Sequence, residues 1–169
     1  MSQGARLRVE ACRVPAGTLL DAHRLAGSFT DCFVTEVPGI IPQARYIEAF
    51  YTTPLFKAER LILMLLLRPS SDAAAQQLAA GLREDFAAWQ VEGRASNELL
   101  MAAGRTRSWL QALPSAGGTR LLFGSAIVPA RNSSPGSDPL GPAFRALLGF
   151  HTLYSRALLQ AAGRRLAQD

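Results

Sequence analysis

The stretch "WQVEGRASNELLMAAGRTRSWLQALPSAGGTRLLFGSAIV" at 89–128 limits the folds open to this chain more than any other part of it. It begins with Trp89, Val91 and Gly93 alternating against Gln90, Glu92 and Arg94, the period of two that a half-buried strand requires. Gly104 marks a turn between the next two strands, and "PSAGG" at 114–118 is hairpin chemistry leading into "TRLLFGSAIVPA". An antiparallel meander follows, and its apolar face must be covered. The segment that begins at Pro142 and runs almost to Asp169, with "LLGFHTLYSRALL" at 147–159 as its centre, has the period of a long amphipathic helix able to cover it.

The first half supplies one strand and several helices. "RLRVEACRVP" reads as a short extended piece, followed by a turn at Gly17 and a brief polar segment around Asp21–Arg24. "GSFTDCFVTEVPG" reads as a strand stopped by Pro38-Gly39. "IPQARYIEAFYTT" has Pro42 suited to a first helical turn and Tyr46, Ile47, Phe50 and Tyr51 on one face. "PLFKAERLILMLLLR", bounded by Pro54 and Pro69, reads as a second helix. "DAAAQQLAAGLREDF" reads as a third, capped by Ser70, Ser71 or Asp72 and interrupted at Gly81. "RNSSPGSDPLGP" at 131–142 is loop chemistry, expected to be the most mobile internal segment and cut early by trypsin after Arg131. This order of elements predicts an α+β fold whose helices cover one face of the sheet.

Composition narrows the functional classes. The 169 residues suit one domain, 1–169, and 49% apolar against 18% charged residues describe a globular chain with a lightly charged surface, compatible with a homodimer. The net charge of +5 comes almost wholly from arginines scattered among acids, with Lys57 the single lysine, so no nucleic acid is expected. The longest apolar run, "LILMLLL" at 61–67, falls far short of the roughly 20 residues of a membrane span, and no leader is legible, which predicts a cytoplasmic protein. Cys12 and Cys32 lack companions at metal-ligand spacing and read as reduced thiols. There is no Gly-rich phosphate loop, no Gly-x-Ser-x-Gly elbow and no metal-spaced set, so no cofactor and no metal are expected. Glu48, Glu59, Asp85, Glu92 and Glu98 fall on polar faces, and no carboxylate pair is placed for acid–base work.

The strand "FTDCFVTEVPG" before a helical pair, the meander "FAAWQVEGRASNELLMA" and "RTRSWLQALPSAGGTRLLFGSAIVPA", and the helix "FRALLGFHTLYSRALL" together resemble the START/polyketide-cyclase superfamily, the helix-grip fold, over roughly Phe29 to Leu166. That resemblance implies a curved antiparallel sheet wrapped around the terminal helix, with a cavity between them for an apolar or aromatic small molecule. It does not choose between binding and catalysis.

On the terminal helix Phe144, Leu147, His151, Tyr154, Leu158 and Ala161 share one face, while Arg145, Thr152, Ser155 and Arg156 point largely elsewhere. His151 and Tyr154 therefore face the sheet. A buried imidazole needs a partner, so His151 is either a core histidine bonded to a strand carbonyl or hydroxyl, or a polar group that orients a ligand or moves a proton. Trp89 faces the helices, as pocket wall or as core. The inward set of the last strand is Leu121, Phe123, Ser125 and Ile127. On "RTRSWLQ", Arg105, Arg107 and Trp109 share a face; an outward face stacks Trp109 between arginine stems at the surface, and an inward one makes Arg107 an anion holder, the outward reading being preferred because an unpaired buried arginine is costly. Tyr46, Phe50 and Tyr51 close the mouth of a cavity or form a packing stripe, and His23 reads as exposed and idle. The candidate ligand-binding set is His151, Tyr154, Trp89, Leu147, Phe123, Ser125, Arg107 and Tyr51. Three functions follow as expectations: a binding module, a cofactor-free enzyme with His151 as general acid or base beside Tyr154 or Ser125, and a peripheral protein- or membrane-interaction module using "LILMLLL" or the basic C-terminal end.

Overall fold

The computed structural model describes residues 7–56, 71–129 and 142–168, with the backbone alone for 142–150. The loop at 131–140, the run at 61–67, Glu59 and the side chains of Phe144 and Leu147 therefore lie outside the described residues. The elements run β1 Glu10–Ala11, α1 Leu19–Leu25, β2 Phe29–Val37, α2 Gln43–Tyr51, α3 Asp72–Ala79, β3 Asp85–Phe86, β4 Trp89–Ala95, β5 Glu98–Ala103, β6 Thr106–Ser115, β7 Gly118–Ile127 and α4 Pro142–Leu166. The strands form one antiparallel sheet in the order β1-β2-β7-β6-β5-β4-β3, an α+β architecture. No helix among the described residues is long and apolar enough to cross a membrane.

The meander over 89–128 forms as the alternation and turn residues predict. Its hairpin closes at Ser115 opposite Gly118, whose φ of +139° suits glycine. Ser71 caps α3 by accepting from the Ala74 N–H at 3.1 Å, and Gly81 lies just past the end of that helix.

The inner face of the sheet carries α2 and α4 over its middle. Alternate residues Phe33 and Val37 of β2, Leu121 and Phe123 of β7, Leu110 and Ala112 of β6, and Leu99 and Met101 of β5 meet the buried faces of these helices. Six rings, Tyr46, Phe50, Tyr51, Phe56, Phe86 and Phe123, pack edge-on or tilted with centroids 5.0–6.2 Å apart. Tyr46 also donates its hydroxyl to the Leu122 carbonyl at 3.0 Å, fastening α2 to the sheet. The centre of this face is thus filled by rings.

Helix α4 runs along β2. His151 lies over Asp31, and a Cβ added at Gly163 would lie 3.4 Å from Thr35 Cγ2 and 3.6 Å from Val37 Cγ1. Twelve residues of helix rise about 18 Å, which matches the roughly 13–20 Å from Asp31 to Thr35 and Val37 on a strand. The buried stripe is Ser155, Leu158, Leu159, Ala162 and Leu166, with His151, Tyr154 and Ala161 half-buried at its margin. The expectation that Ser155 points elsewhere is corrected: it is fully buried. Small residues at 155, 162 and 163 let the helix approach β2 closely, which rotates the stripe toward them.

The outer face is not bare, which corrects the expectation of helices on one side only. The supposed polar segment at 21–24 belongs to α1, capped by Thr18 accepting from the Asp21 N–H at 3.2 Å and by Glu98 Oε2 accepting from the Leu19 N–H at 2.9 Å. Leu20 of α1, Cys32, Leu100, Trp109, Leu122 and Ala126 form a second core there. A register shift between Val91 and Gly93 turns Val91 to the inner core and Gly93 toward Leu19. Strict alternation placed those two on one face; the bulge separates them.

Candidate functional site

At the end of the inner face beyond the aromatic core, Asp31 of β2 and Ser125 of β7 sit directly opposite each other. Ser125 Oγ donates to Asp31 Oδ1 at 2.6 Å, and the Ser125 N–H donates to the same oxygen at 3.1 Å. His151 Nε2 approaches Ser125 Oγ at 2.9 Å and Asp31 Oδ2 at 3.5 Å. An ionised carboxylate can only accept, so the serine proton is committed to Asp31 and Nε2 must carry the hydrogen that points at Ser125. The remaining oxygen, Asp31 Oδ2, is shut from solvent and has no hydrogen-bond partner among the described residues. The imidazole keeps 31% of its side-chain surface and Asp31 15%, so the group sits at the edge of the core.

This arrangement is not that of a serine nucleophile. Such a nucleophile needs Nε2 to accept the serine proton while a carboxylate holds Nδ1, whereas here the carboxylate bonds the serine itself and Ser125 is 2% exposed. What the group offers is a buried acceptor beside a half-exposed imidazole.

The structure brings some of the sequence-selected residues together and separates others. His151 and Ser125 meet each other, with Tyr154 one turn along α4 and half-buried against the main core. Trp89 also packs half-buried against that core, and Phe123 continues the inner row from Ser125, its ring 5.0 Å from Phe50. Tyr51 lies within the aromatic cluster against Phe50, Phe56 and Phe86, in the packing-stripe role. Leu147 belongs to α4 with its side chain outside the described residues.

Arg107 is on the opposite face of the sheet. Its guanidinium pairs with Glu92, which also takes His23 Nε2 at 2.7 Å, so neither Arg107 nor His23 stands idle and Arg107 does not reach the Ser125 side. Trp109 shares that outward face as preferred, but its place at the surface is corrected: it is 0% exposed beneath α1 and donates its indole N–H to Glu98 Oε2 at 2.7 Å. Glu98 is likewise buried, not on a polar face, because it receives both the indole and the first N–H of α1.

Sequence reasoning missed Asp31. Its signal was present: Phe29, Asp31, Phe33, Thr35 and Val37 alternate, so β2 carries a lone acid in an otherwise inward register. On the far side of α4 an open groove of about 710 Å³ runs between Leu7, Val9, Leu153 and Ala157, flanked by Arg8 and Arg164. The carbonyls of Leu7 and Val9 there already accept from Gln160 at 3.3 Å and Arg156 at 2.8 Å. No family model, no curated protein and no solved structure matches the chain.

Proposed function

We propose that this chain is a helix-grip domain, akin to the START/polyketide-cyclase superfamily, that binds a small molecule with an aromatic or apolar body at the Asp31–Ser125–His151 end of its sheet. The observation that carries the reading is Asp31 Oδ2, buried without a hydrogen-bond partner among the described residues. Such an oxygen carries a desolvation cost that a bound donor removes. The ligand therefore presents a hydrogen-bond donor, such as a phenol, amide or ring N–H, to Asp31, with the imidazole of His151 beside it. Its apolar body lies against the half-buried inner surface that Phe29, Ile127 and Tyr154 contribute. The filled aromatic centre limits the site to this end of the face.

A second reading is favoured by one distance. His151 Nε2 lies 3.5 Å from Asp31 Oδ2, an imidazole–carboxylate pair able to exchange a proton with a bound molecule. On that reading the domain is a cofactor-free acid–base enzyme, and the same ligand is a substrate.

Thermal melts of wild type and Asp31→Asn against fused-ring phenols and amides, and against the same rings lacking the donor, test the binding reading. Donor-bearing rings should raise the wild-type melting temperature and lose that effect in Asp31→Asn. A rise that ignores the donor, or survives in Asp31→Asn, contradicts the reading.

A further inference from the structure

Cys12 and Cys32 lie far apart in sequence, yet their sulfurs are 3.3 Å apart. The pairing of β1 with β2, Glu10 opposite Val34 and Ala11 opposite Phe33, carries on for one more step, where the Cys12 N–H donates to the Cys32 carbonyl at 2.9 Å. The two cysteines are thus cross-strand partners with side chains on the outer face. Hydrogen-bonded partners in antiparallel strands have Cα atoms about 5.5 Å apart, inside the roughly 4.4–6.8 Å that a disulfide spans. Both thiols are free, Cys12 half-buried and Cys32 buried against Leu20, Trp109 and Leu122.

From this geometry we infer that Cys12 and Cys32 form a reversible disulfide site, closed by peroxide-class oxidants and opened by dithiols. The two sulfurs play unequal parts. The hydrogen bond between the two sulfurs, aided by the positive charge of Arg120, lowers the Cys12 pKa, while that same bond and burial push the Cys32 thiol up. Cys12, the more accessible sulfur, attacks the peroxide oxygen, which leaves Cys12 as a sulfenic acid and releases hydroxide. The Cys32 sulfur then attacks the Cys12 sulfur and loses its proton. The S–S bond forms as the S–O bond breaks, and the oxygen departs as water. In sum, two thiols give up two electrons and one peroxide becomes two waters. The closed bond turns 12–32, which contains α1, into a covalent loop whose last residue adjoins Asp31.

The test is intact mass and thiol titration of the native wild-type protein after equimolar hydrogen peroxide. The mass should fall by two hydrogens with no added oxygen, both thiols should become unreactive after denaturation, and dithiothreitol should restore them. A peptide map should join Cys12 to Cys32 within one chain, and Cys12→Ser should show no such mass loss. Retained oxygen on Cys12, a disulfide between chains, or two thiols still titratable after the oxidant would overturn the inference.

Discussion

Ser125 holds the site together because its hydroxyl satisfies two charged or polar neighbours at once: it donates to Asp31 and accepts from His151. The substitutions Ser125→Ala and His151→Phe therefore differ in kind. Ser125→Ala leaves Asp31 Oδ1 with only a backbone N–H and strips His151 of its acceptor, so stability should fall by about 1–3 kcal/mol in urea unfolding. His151→Phe keeps the Ser125–Asp31 bond and trades an imidazole for a ring at a half-exposed position, so the loss should stay within about 1 kcal/mol. The reverse order would mean that the imidazole, not the hydroxyl, supports the fold. His151 was legible as a partnered residue on the inner helix face, and Ser125 as inward; Asp31 was not singled out, because an aspartate in a short mixed strand reads as surface until the register is known.

Among the elements, sequence reasoning missed α1 and also β3, whose Asp85 and Phe86 it placed in the third helix although that helix ends at Ala79, and the residues of α1 show why. Helix α1 spans only seven positions, and four of them, Asp21, His23, Arg24 and Ala22, look solvent-facing in a linear reading. What makes it a helix is tertiary: the Glu98 carboxylate arrives from β5 to take its first N–H, and Leu20 docks on Gly124 and Trp109. Periodicity within the chain cannot report a cap donated from 79 positions away. The meander and α4 were legible for the opposite reason, since their alternation, turn residues and helical stripe are local.

Two outcomes follow for α1. A Cβ at Gly124 would sit 2.9 Å from the Asp31 carbonyl and 3.2 Å from the Trp109 ring, so Gly124→Ala should destabilise by about 1–3 kcal/mol in chemical denaturation. Asp21 is held below the usual carboxylate range by the Gly17 N–H at 3.0 Å and then by Arg24. A depressed folded-state pKa means that its contribution is complete above the unfolded carboxylate value of about 4 and fades as pH falls through the folded one. Stability curves of wild type and Asp21→Asn should therefore run parallel at neutral pH and converge under acid. A gap that stays constant down to low pH would show that the carboxylate charge is irrelevant there.

On the scale of the whole molecule, the sheet separates two different interiors. The outer one is a small core under α1, stapled by buried polar bonds from Glu98. The inner one is a ring-filled core that, among the described residues, gives way at one end to Asp31, Ser125 and His151. Apolar periodicity marked both walls of the inner face, but the rings of α2 that fill its centre were legible only as a choice between core and cavity mouth. The proposed function rests on the remaining end of that face and on an acceptor, Asp31 Oδ2, that has no hydrogen bond among the described residues.

Backbone amide NMR during titration with 2-naphthol, and in parallel with naphthalene-2-carboxylate, tests that claim most directly. The first offers one donor on an aromatic body; the second offers an anion and no donor at neutral pH. Saturable shifts should gather at Asp31, Ser125 and His151 with the naphthol only, and vanish in Asp31→Asn. Shifts that gather instead along Leu7, Val9 and Leu153, or equal responses to the two compounds at the Asp31 end, would contradict a donor-reading site.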